Sequence, residues 1–261
     1  MINRWKKCTR RCRPACFRHH PIFRGMQIID VLDDAAQHGL PHNVHIEGGD
    51  VIVLDNETLI IGSSERTTDR AIDLLTTRLF HEGLAKRVIK VKLPSERATM
   101  HLDTVFTIIG EDDCVYYPPF FSEFDGSHPC PCFTYELVKG KVALTNRTEQ
   151  RGLFSALERI GCNFSNRIPC GGDIPHYQTR EQWTDGANLF AVKPNIAFIY
   201  ERNMETIRRF QAIGYRVLSP AEFLKTSVGD ESKTIVTLSG AELSRGRGGA
   251  RCMTMPVSRR P

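Results

Sequence analysis

The chain has 261 residues, of which 41% are hydrophobic and 25% charged, enough apolar material for a substantial core and enough length for one or two domains. The net charge of +5 is local: the first 29 residues hold eight Lys or Arg and no Asp or Glu, and the remainder is net acidic. No run of 18 apolar residues exists and the basic start lacks the apolar stretch of a signal peptide, so a membrane span is excluded and a soluble, cytoplasmic protein is expected.

Residues 1–25 read as a basic leader. It is Arg-rich and acid-free, as transit peptides are, but it holds no Ser and is interrupted by Pro14 and Pro21, which disfavours an amphipathic targeting helix. Nine cysteines make an odd count without the density of a disulfide scaffold, so reduced thiols are expected. Cys8, Cys12 and Cys16, followed by His19 and His20, could gather on one helical face. Zinc sites pair CxxC spacings, however, and Cys130-Pro131-Cys132 with His128 offers no matching half, so neither a metal nor another cofactor is expected. Trp5 and Phe17 among the basic residues belong to no nucleic-acid reading module, so no nucleic-acid partner is expected.

Residues 26–261 read as one α/β domain. The apolar spacing of Met26–Gln37 predicts a helix ending near Gly39. Two β-like runs, 51–54 and 59–61, are joined by Asp55-Asn56-Glu57, then come a helix over Asp69–Ala85 and a strand over Arg87–Leu93. This ββαβ unit returns as runs 189–192 and 196–200, a helix over Met204–Ala212 and a strand at Tyr215–Leu218. Between them a third hairpin, 104–109 and 114–117, leads to a helix with Leu153, Ala156, Leu157 and Ile160 on one face. The modules run roughly 44–93, 100–175 and 185–220, with a closing segment 233–261. Repeated units that cannot bury their faces alone stack or close into a ring, which predicts a propeller-like α/β architecture, with a plain α+β sandwich as the alternative.

Three motifs carry chemistry-bearing residues. His45-Ile-Glu47-Gly-Gly-Asp50 and Met100-His101-Leu-Asp103-Thr104 each read as running into a strand, where carboxylates beside histidine are expensive to bury unless paired. The third, Ser244–Met253, sets Cys252 behind Arg245, Arg247 and Arg251 in a glycine-rich loop, where positive charge can stabilise a thiolate nucleophile. The bland alternatives are a turn tied by Glu47 and Asp50, a strand capped by His101, and a basic tail with an incidental thiol.

Glu47-Gly-Gly-Asp50, Glu65-Arg-Thr-Thr68, Met100-His-Leu-Asp-Thr-Val-Phe106, Gln182-Trp-Thr-Asp-Gly-Ala-Asn-Leu-Phe-Ala-Val192, Tyr200-Glu-Arg-Asn203 and Arg245-Gly-Arg-Gly-Gly-Ala-Arg-Cys-Met253 together resemble the arginine deiminases, guanidino-group-modifying enzymes of the pentein fold. The resemblance implies a propeller of ββαβ modules and hydrolysis of L-arginine to L-citrulline and ammonia. It also implies that Cys252 is the nucleophile, His101 the acid and base oriented by Glu47, and Asp103 the guanidinium ligand. Arg66, Arg247, Arg10 and the Gly246 backbone would receive the α-carboxylate. Asp50 is expected to shape its turn rather than react. In the family a second guanidinium-binding aspartate, in a Phe-Thr-Arg-Asp motif, stands upstream of the position that Asn3 matches. The resemblance therefore implies a chain shortened at its start and an incomplete ring, and losing that clamp would cost roughly 2–5 kcal/mol. The competing expectations are a non-catalytic relic acting as a binding or assembly subunit and a related guanidino hydrolase such as agmatine deiminase or a dimethylarginine hydrolase; the partners expected are L-arginine as substrate and a further copy of the chain in a homo-oligomer.

Overall fold

Strand pairing in the computed structural model gives a mixed α/β protein with three sheets of five, four and three strands. The structure describes residues 20–24, 29, 31, 44–122, 129–137, 147–226 and 232–254. The expected helix over 26–37, apart from positions 29 and 31, lies outside the described residues, as do Cys8, Arg10, Cys12, Cys16, His19 and His128. The chain divides into two units, Met1–Pro41 and His42–Pro261. In the first, Pro21–Phe23 forms a single 3-10 turn in which the Phe23 N–H donates to the His20 carbonyl at 3.0 Å.

The second unit begins with the ββαβ motif the hydrophobic pattern predicts. Strand β1 (Val51–Val53) pairs antiparallel with β2 (Thr58–Ser63), helix α1 (Asp69–His81) crosses over, and β3 (Arg87–Lys92) returns parallel to β2. Helix α1 starts where the Thr68 side chain accepts the Ala71 N–H, and it buries Ala71, Ile72, Thr76, Leu79 and Phe80. It ends a turn before the expected Ala85. Gly83 adopts φ 67° and the Leu84 N–H returns to the Leu79 carbonyl at 2.9 Å, a left-handed helix stop open to glycine at little steric expense.

The second motif is β4 (Phe106–Ile108) antiparallel to β5 (Asp113–Tyr116), with α2 (Pro118–Phe121) following β5. Strands β6 (Cys132–Glu136) and β7 (Arg147–Gln150) then leave to extend the first sheet, β6 pairing antiparallel with β3. Helix α3 (Leu153–Arg159) and β8 (Asn166–Pro169), parallel to β5, complete the motif. A large apolar core containing Ile89, Leu102, Phe106, Leu153 and Leu157 fills the space between these elements.

Helix α4 (Pro175–Trp183) leads into the third motif, made of β9 (Phe190–Lys193), β10 (Ile196–Tyr200), helix α5 (Met204–Ala212) and β11 (Arg216–Leu218). Helix α6 (Pro220–Lys225), held by a Ser219–Glu222 capping box, follows. Here the structure departs from the simple repeat. The sheet order is β11-β12-β10-β9, because β12 (Thr234–Leu238), from the segment expected to close the domain, inserts parallel between β10 and β11. The second core, with Leu189, Ile199, Phe210 and Ile235, depends on that insertion.

Asp113 fastens the three-stranded sheet to the four-stranded one. Its carboxylate is fully buried and accepts from Asn166 Nδ2 at 2.6 Å, Tyr215 Oη at 2.5 Å and Lys233 Nζ at 2.8 Å. Burial alone would raise the Asp113 pKa, but Lys233, Tyr215 and Asn166 outweigh it and hold the carboxyl below its ordinary value. A depressed carboxylate stabilises the fold above its unfolded pKa and loses that contribution as pH falls through the folded one. Asp113→Ala should cost about 3 kcal/mol in urea unfolding at neutral pH. The gap to wild type should narrow in unfolding curves taken below about pH 4.

Candidate active site

The site is built on Asp50, the last residue of a 3-10 turn (Gly48–Asp50) that opens into β1. Its carboxylate has no exposed surface; Oδ2 accepts from Ser64 Oγ at 2.7 Å and Thr67 Oγ1 at 2.6 Å, and Oδ1 accepts the Leu102 N–H at 2.8 Å. Burial nevertheless pushes the Asp50 pKa up to about 6. The bond to Leu102 fixes the adjoining His101, whose Nε2 donates to Glu47 Oε2 at 2.8 Å. Glu47 is held in turn by its N–H to Thr67 Oγ1 at 3.1 Å and by Arg66, 3.5 Å from Oε1.

Residues 102–104 correct one expectation. They form a 3-10 turn, and β4 starts only at Phe106, so the Met100–Thr104 motif does not run directly into a strand and the hairpin begins two residues later than position 104. The Leu102 N–H is bound sideways by Asp50 rather than by a neighbouring strand, and the Thr104 hydroxyl donates back to the His101 carbonyl at 2.6 Å, which closes the turn.

Electrostatics couple these groups. Burial would lower the His101 pKa, but the Glu47 hydrogen bond and the charges of Asp50 and Asp103 overcome it, so the imidazole holds its proton more tightly than usual. Glu47 is held below its ordinary value chiefly by the His101 bond. Asp103 is only 2% exposed and burial raises its pKa; its Oδ1 is buried with no hydrogen-bond partner, while Oδ2 lies 3.7 Å from Arg251 Nε.

Asn188 joins this half of the site to the cysteine loop. Its Nδ2 donates to the Asp103 carbonyl at 3.1 Å and its Oδ1 accepts the Cys252 N–H at 3.4 Å. Cys252 sits in a 3-10 turn (Arg251–Met253) and keeps exposed surface. The neighbouring arginines do not hold its thiol as a thiolate. Burial first, then the charge of Asp103, push the pKa up to about 12, with a smaller rise from Asp185, against lowering by the Gly249 N–H and, least, by Asn188. The resting thiol is therefore neutral at physiological pH.

The arginines explain why. Arg247 has only 4% of its side chain exposed and its hydrogen bonds go to backbone, to the carbonyls of Gln182 at 3.0 Å, Trp183 at 2.7 Å and Ala98 at 2.5 Å, with its guanidinium 4.7 Å above the Trp183 ring. Arg245 pairs with Glu242 at 3.3 Å, and Arg251 reaches Asp103 and the Val51 carbonyl. Of the expected carboxylate receivers, Arg66 lies beside Glu47 with 30% of its side chain exposed, and Gly246 ends the 3-10 turn Leu243–Gly246 with open space on its Cβ side. The structure thus gathers Glu47, His101, Asp103, Arg66 and Cys252, and commits the Arg247 side chain to backbone carbonyls. Sequence reasoning assigned no role to Asp185 or Asn188, although both lie in the Gln182–Val192 motif. Among the described residues no group of three or more His, Cys, Asp or Glu side chains could hold a metal ion, and no helix is long and apolar enough to cross a membrane.

Solved structures place the fold first. The chain shares a mixed α/β fold with SxtG, an amidinotransferase from Microseira wollei (TM-score 0.50, 13% identity, 85% of this chain and 48% of that one), and with an alanine variant of AgrE in complex with L-arginine (TM-score 0.50, 15% identity, 84% and 24%). The sequence comparison is more specific. The arginine deiminase family model matches residues 11–259, and the arginine deiminase of Mycoplasma capricolum subsp. capricolum is 39% identical over 216 residues, 82% of this chain and 47% of that protein. The chain belongs to the arginine deiminase family and spans about half the length of that relative.

The glycine pair in the first motif is asymmetric. A Cβ at Gly49 would stand 2.8 Å from His101 Cγ and Nδ1, whereas one at Gly48 would meet nothing within 4 Å. Gly49→Ala should therefore push the imidazole off Glu47, and the His101 titration midpoint followed by proton NMR should fall toward the ordinary 6.5. Gly48→Ala should leave that midpoint where it is.

Proposed function

We propose that this chain carries the cysteine-centred machinery of an arginine deiminase, hydrolysing L-arginine to L-citrulline and ammonia. The observation that carries the reading is the buried Asp103 carboxylate, with one oxygen unpartnered, standing between the His101–Glu47 pair and the Cys252 loop. A buried anion with an open acceptor favours a cationic, planar donor such as a guanidinium, which binds a carboxylate by forked, charge-assisted bonds.

The electrostatics give an order of events. Cys252 rests as a thiol because burial, and after it the charges of Asp103 and Asp185, disfavour the thiolate. A guanidinium seated on Asp103 adds a positive charge that offsets those carboxylates, lowers the thiol pKa and so favours thiolate only when substrate is present. The thiolate forms a bond to the guanidinium carbon. His101, protonated and held through Nε2 by Glu47, gives up a proton as the C–N bond breaks and ammonia leaves, and a thiouronium remains on Sγ. The neutral imidazole then takes a proton from the water that attacks the same carbon, and the C–S bond breaks to release citrulline and restore the thiol. Arg66 is the arginine beside His101–Glu47 that keeps exposed surface, so in this conformation recognition of the α-carboxylate falls to it. No cofactor enters these steps.

The same reading makes residues 1–25 a leader and residues 26–261 a catalytic domain, with modules at 44–93, 100–175 and 185–220 as sectors of a pentein-type propeller and 233–261 as the closing segment. The parallel insertion of β12 beside β10 supports that closing role.

Purified protein should release citrulline from L-arginine, and Cys252→Ala should abolish it. Asp103→Asn should lower kcat/KM about 30-fold or more, the loss of one charge-assisted pair. Turnover should decline as pH rises through the elevated His101 pKa, because the protonated imidazole is the acid. Arginine binding without citrulline above the Cys252→Ala background would favour the binding-subunit alternative, and equal turnover of agmatine would remove the role given to Arg66.

A further inference from the structure

The loop that carries Cys252 is held from outside itself, and its fasteners lie on the turn after α4 and at the end of β10. Gly248 has its peptide groups gripped on both sides: its N–H donates to Asp185 Oδ2 at 3.1 Å and its carbonyl accepts from Tyr200 Oη at 3.0 Å. Arg247 and Gly248 sit at φ 64° and 133°, outside the helical and extended regions, so this backbone needs external support to persist. Asp185 is itself at φ 62°, its side chain has no exposed surface, and its second oxygen, without a hydrogen-bond partner, lies 3.8 Å from Arg247 Nη1. The turn around it is closed by its N–H to the Gln182 carbonyl at 3.2 Å and by the Asn188 N–H to its own carbonyl at 3.0 Å. A buried carboxylate held in a left-handed conformation and aimed at one amide is an expensive arrangement for a mere loop tie.

We infer that Asp185 is a positioning residue for the nucleophile, its carboxylate locking the Gly248 amide and the Arg247 guanidinium so that the Cys252 thiol is presented to Asp103 and His101. The inference rests on Cys252 being the reacting thiol. Asp185 acts through Gly248, four residues before Cys252, and does not itself touch the reacting atoms. The lock has two parts with separable consequences. As a hydrogen-bond acceptor the carboxylate sets the register of the loop, and as a charge it works with Asp103 to keep the thiol protonated until a cation arrives. The charged and titratable groups facing Asp185 are Arg247 on the loop, Asp103 on the 102–104 turn, Cys170 just after β8, Tyr200 on β10 and Cys252 itself. Burial first, opposed by Arg247 and the Gly248 amide, leaves the Asp185 pKa at about 6, so the anion prevails at neutral pH.

The test uses the full chain and iodoacetamide, with labelling of the Cys252 peptide quantified by mass spectrometry across pH and the half-buried Cys162 as internal reference. Asp185→Asn and Asp185→Ala should both lower the Cys252 labelling midpoint by about half a pH unit or more, giving about threefold faster labelling near neutral pH, and leave Cys162 unchanged. L-Arginine should protect Cys252 in wild type. That protection should fall about tenfold in Asp185→Ala, and stay within about threefold of wild type in Asp185→Asn, whose amide oxygen can still accept from Gly248. Equal midpoints and equal protection in wild type and Asp185→Ala would overturn the inference. If Asp185→Ala does not fold, an unshifted midpoint in Asp185→Asn together with full protection in Tyr200→Phe, which frees the other side of Gly248, would overturn it equally. Shifted midpoints with no arginine protection even in wild type would sustain the lock and count against the deiminase reading instead.

Discussion

Asp50 is wholly buried, and a buried carboxylate persists only where hydrogen-bond donors replace the water it has lost. Three donors do so, two hydroxyls from the end of β2 and one backbone amide 52 residues along the chain. That amide belongs to Leu102, so satisfying Asp50 brings the His101 turn against the Glu47 turn and aligns Nε2 with Oε2. His101 is thus oriented by a neighbour that never contacts it through a hydrogen bond. Without Asp50 the hydrogen bonding between the two turns would rest on the His101–Glu47 pair, and a single pair with 38% of the Glu47 side chain exposed is a weak fastener.

The same economy of charge governs the thiol. Glu47, Asp50, Asp103 and Asp185 crowd one region, and the cations that neutralise them are mostly committed: Arg247 to carbonyls, Arg66 to Glu47, Arg251 to Asp103 and the Val51 carbonyl. This negative charge raises the imidazole against burial and adds to the burial that raises the thiol, which favours imidazolium beside neutral thiol over the imidazolium–thiolate pair that the run of arginines suggests.

Much of the fold was legible because its units are local. The β1–β2 and β9–β10 hairpins and the helices α1 and α5 follow hydrophobic periodicity and turn chemistry, and their positions match the expected runs to within a few residues. The insertion of β12 between β10 and β11 was not legible, since a parallel pairing across intervening chain leaves no local signal. The 102–104 turn reads as running into a strand because Met100–Asp103 alternates apolar and polar residues, a pattern that a short turn with one buried carboxylate also produces. In the site, identity was legible and direction was not. Residue types and spacing single out Glu47, His101, Asp103 and Cys252, but whether an arginine faces a thiol or a carbonyl depends on a rotamer that spacing does not encode.

The two halves of the site hang on different elements, and this explains the importance of Asn188. The His101–Glu47 half hangs on β1, β2 and the 102–104 turn, whereas the Cys252 half hangs on the C-terminal end of α4, where the carbonyls of Gln182 and Trp183 take Arg247 as a helix end takes a cation. Each half can be internally well ordered and still be misplaced relative to the other. Asn188 spans the boundary with one amide, its Nδ2 on the Asp103 carbonyl and its Oδ1 on the Cys252 amide. A carboxylate there would lose the donor and a hydrophobe would lose both bonds, so only an amide side chain of this length serves both halves at once. Registration between the Cys252 thiol and the Asp103 turn is therefore a property of one buried side chain that bonds to both, and neither half alone contains it.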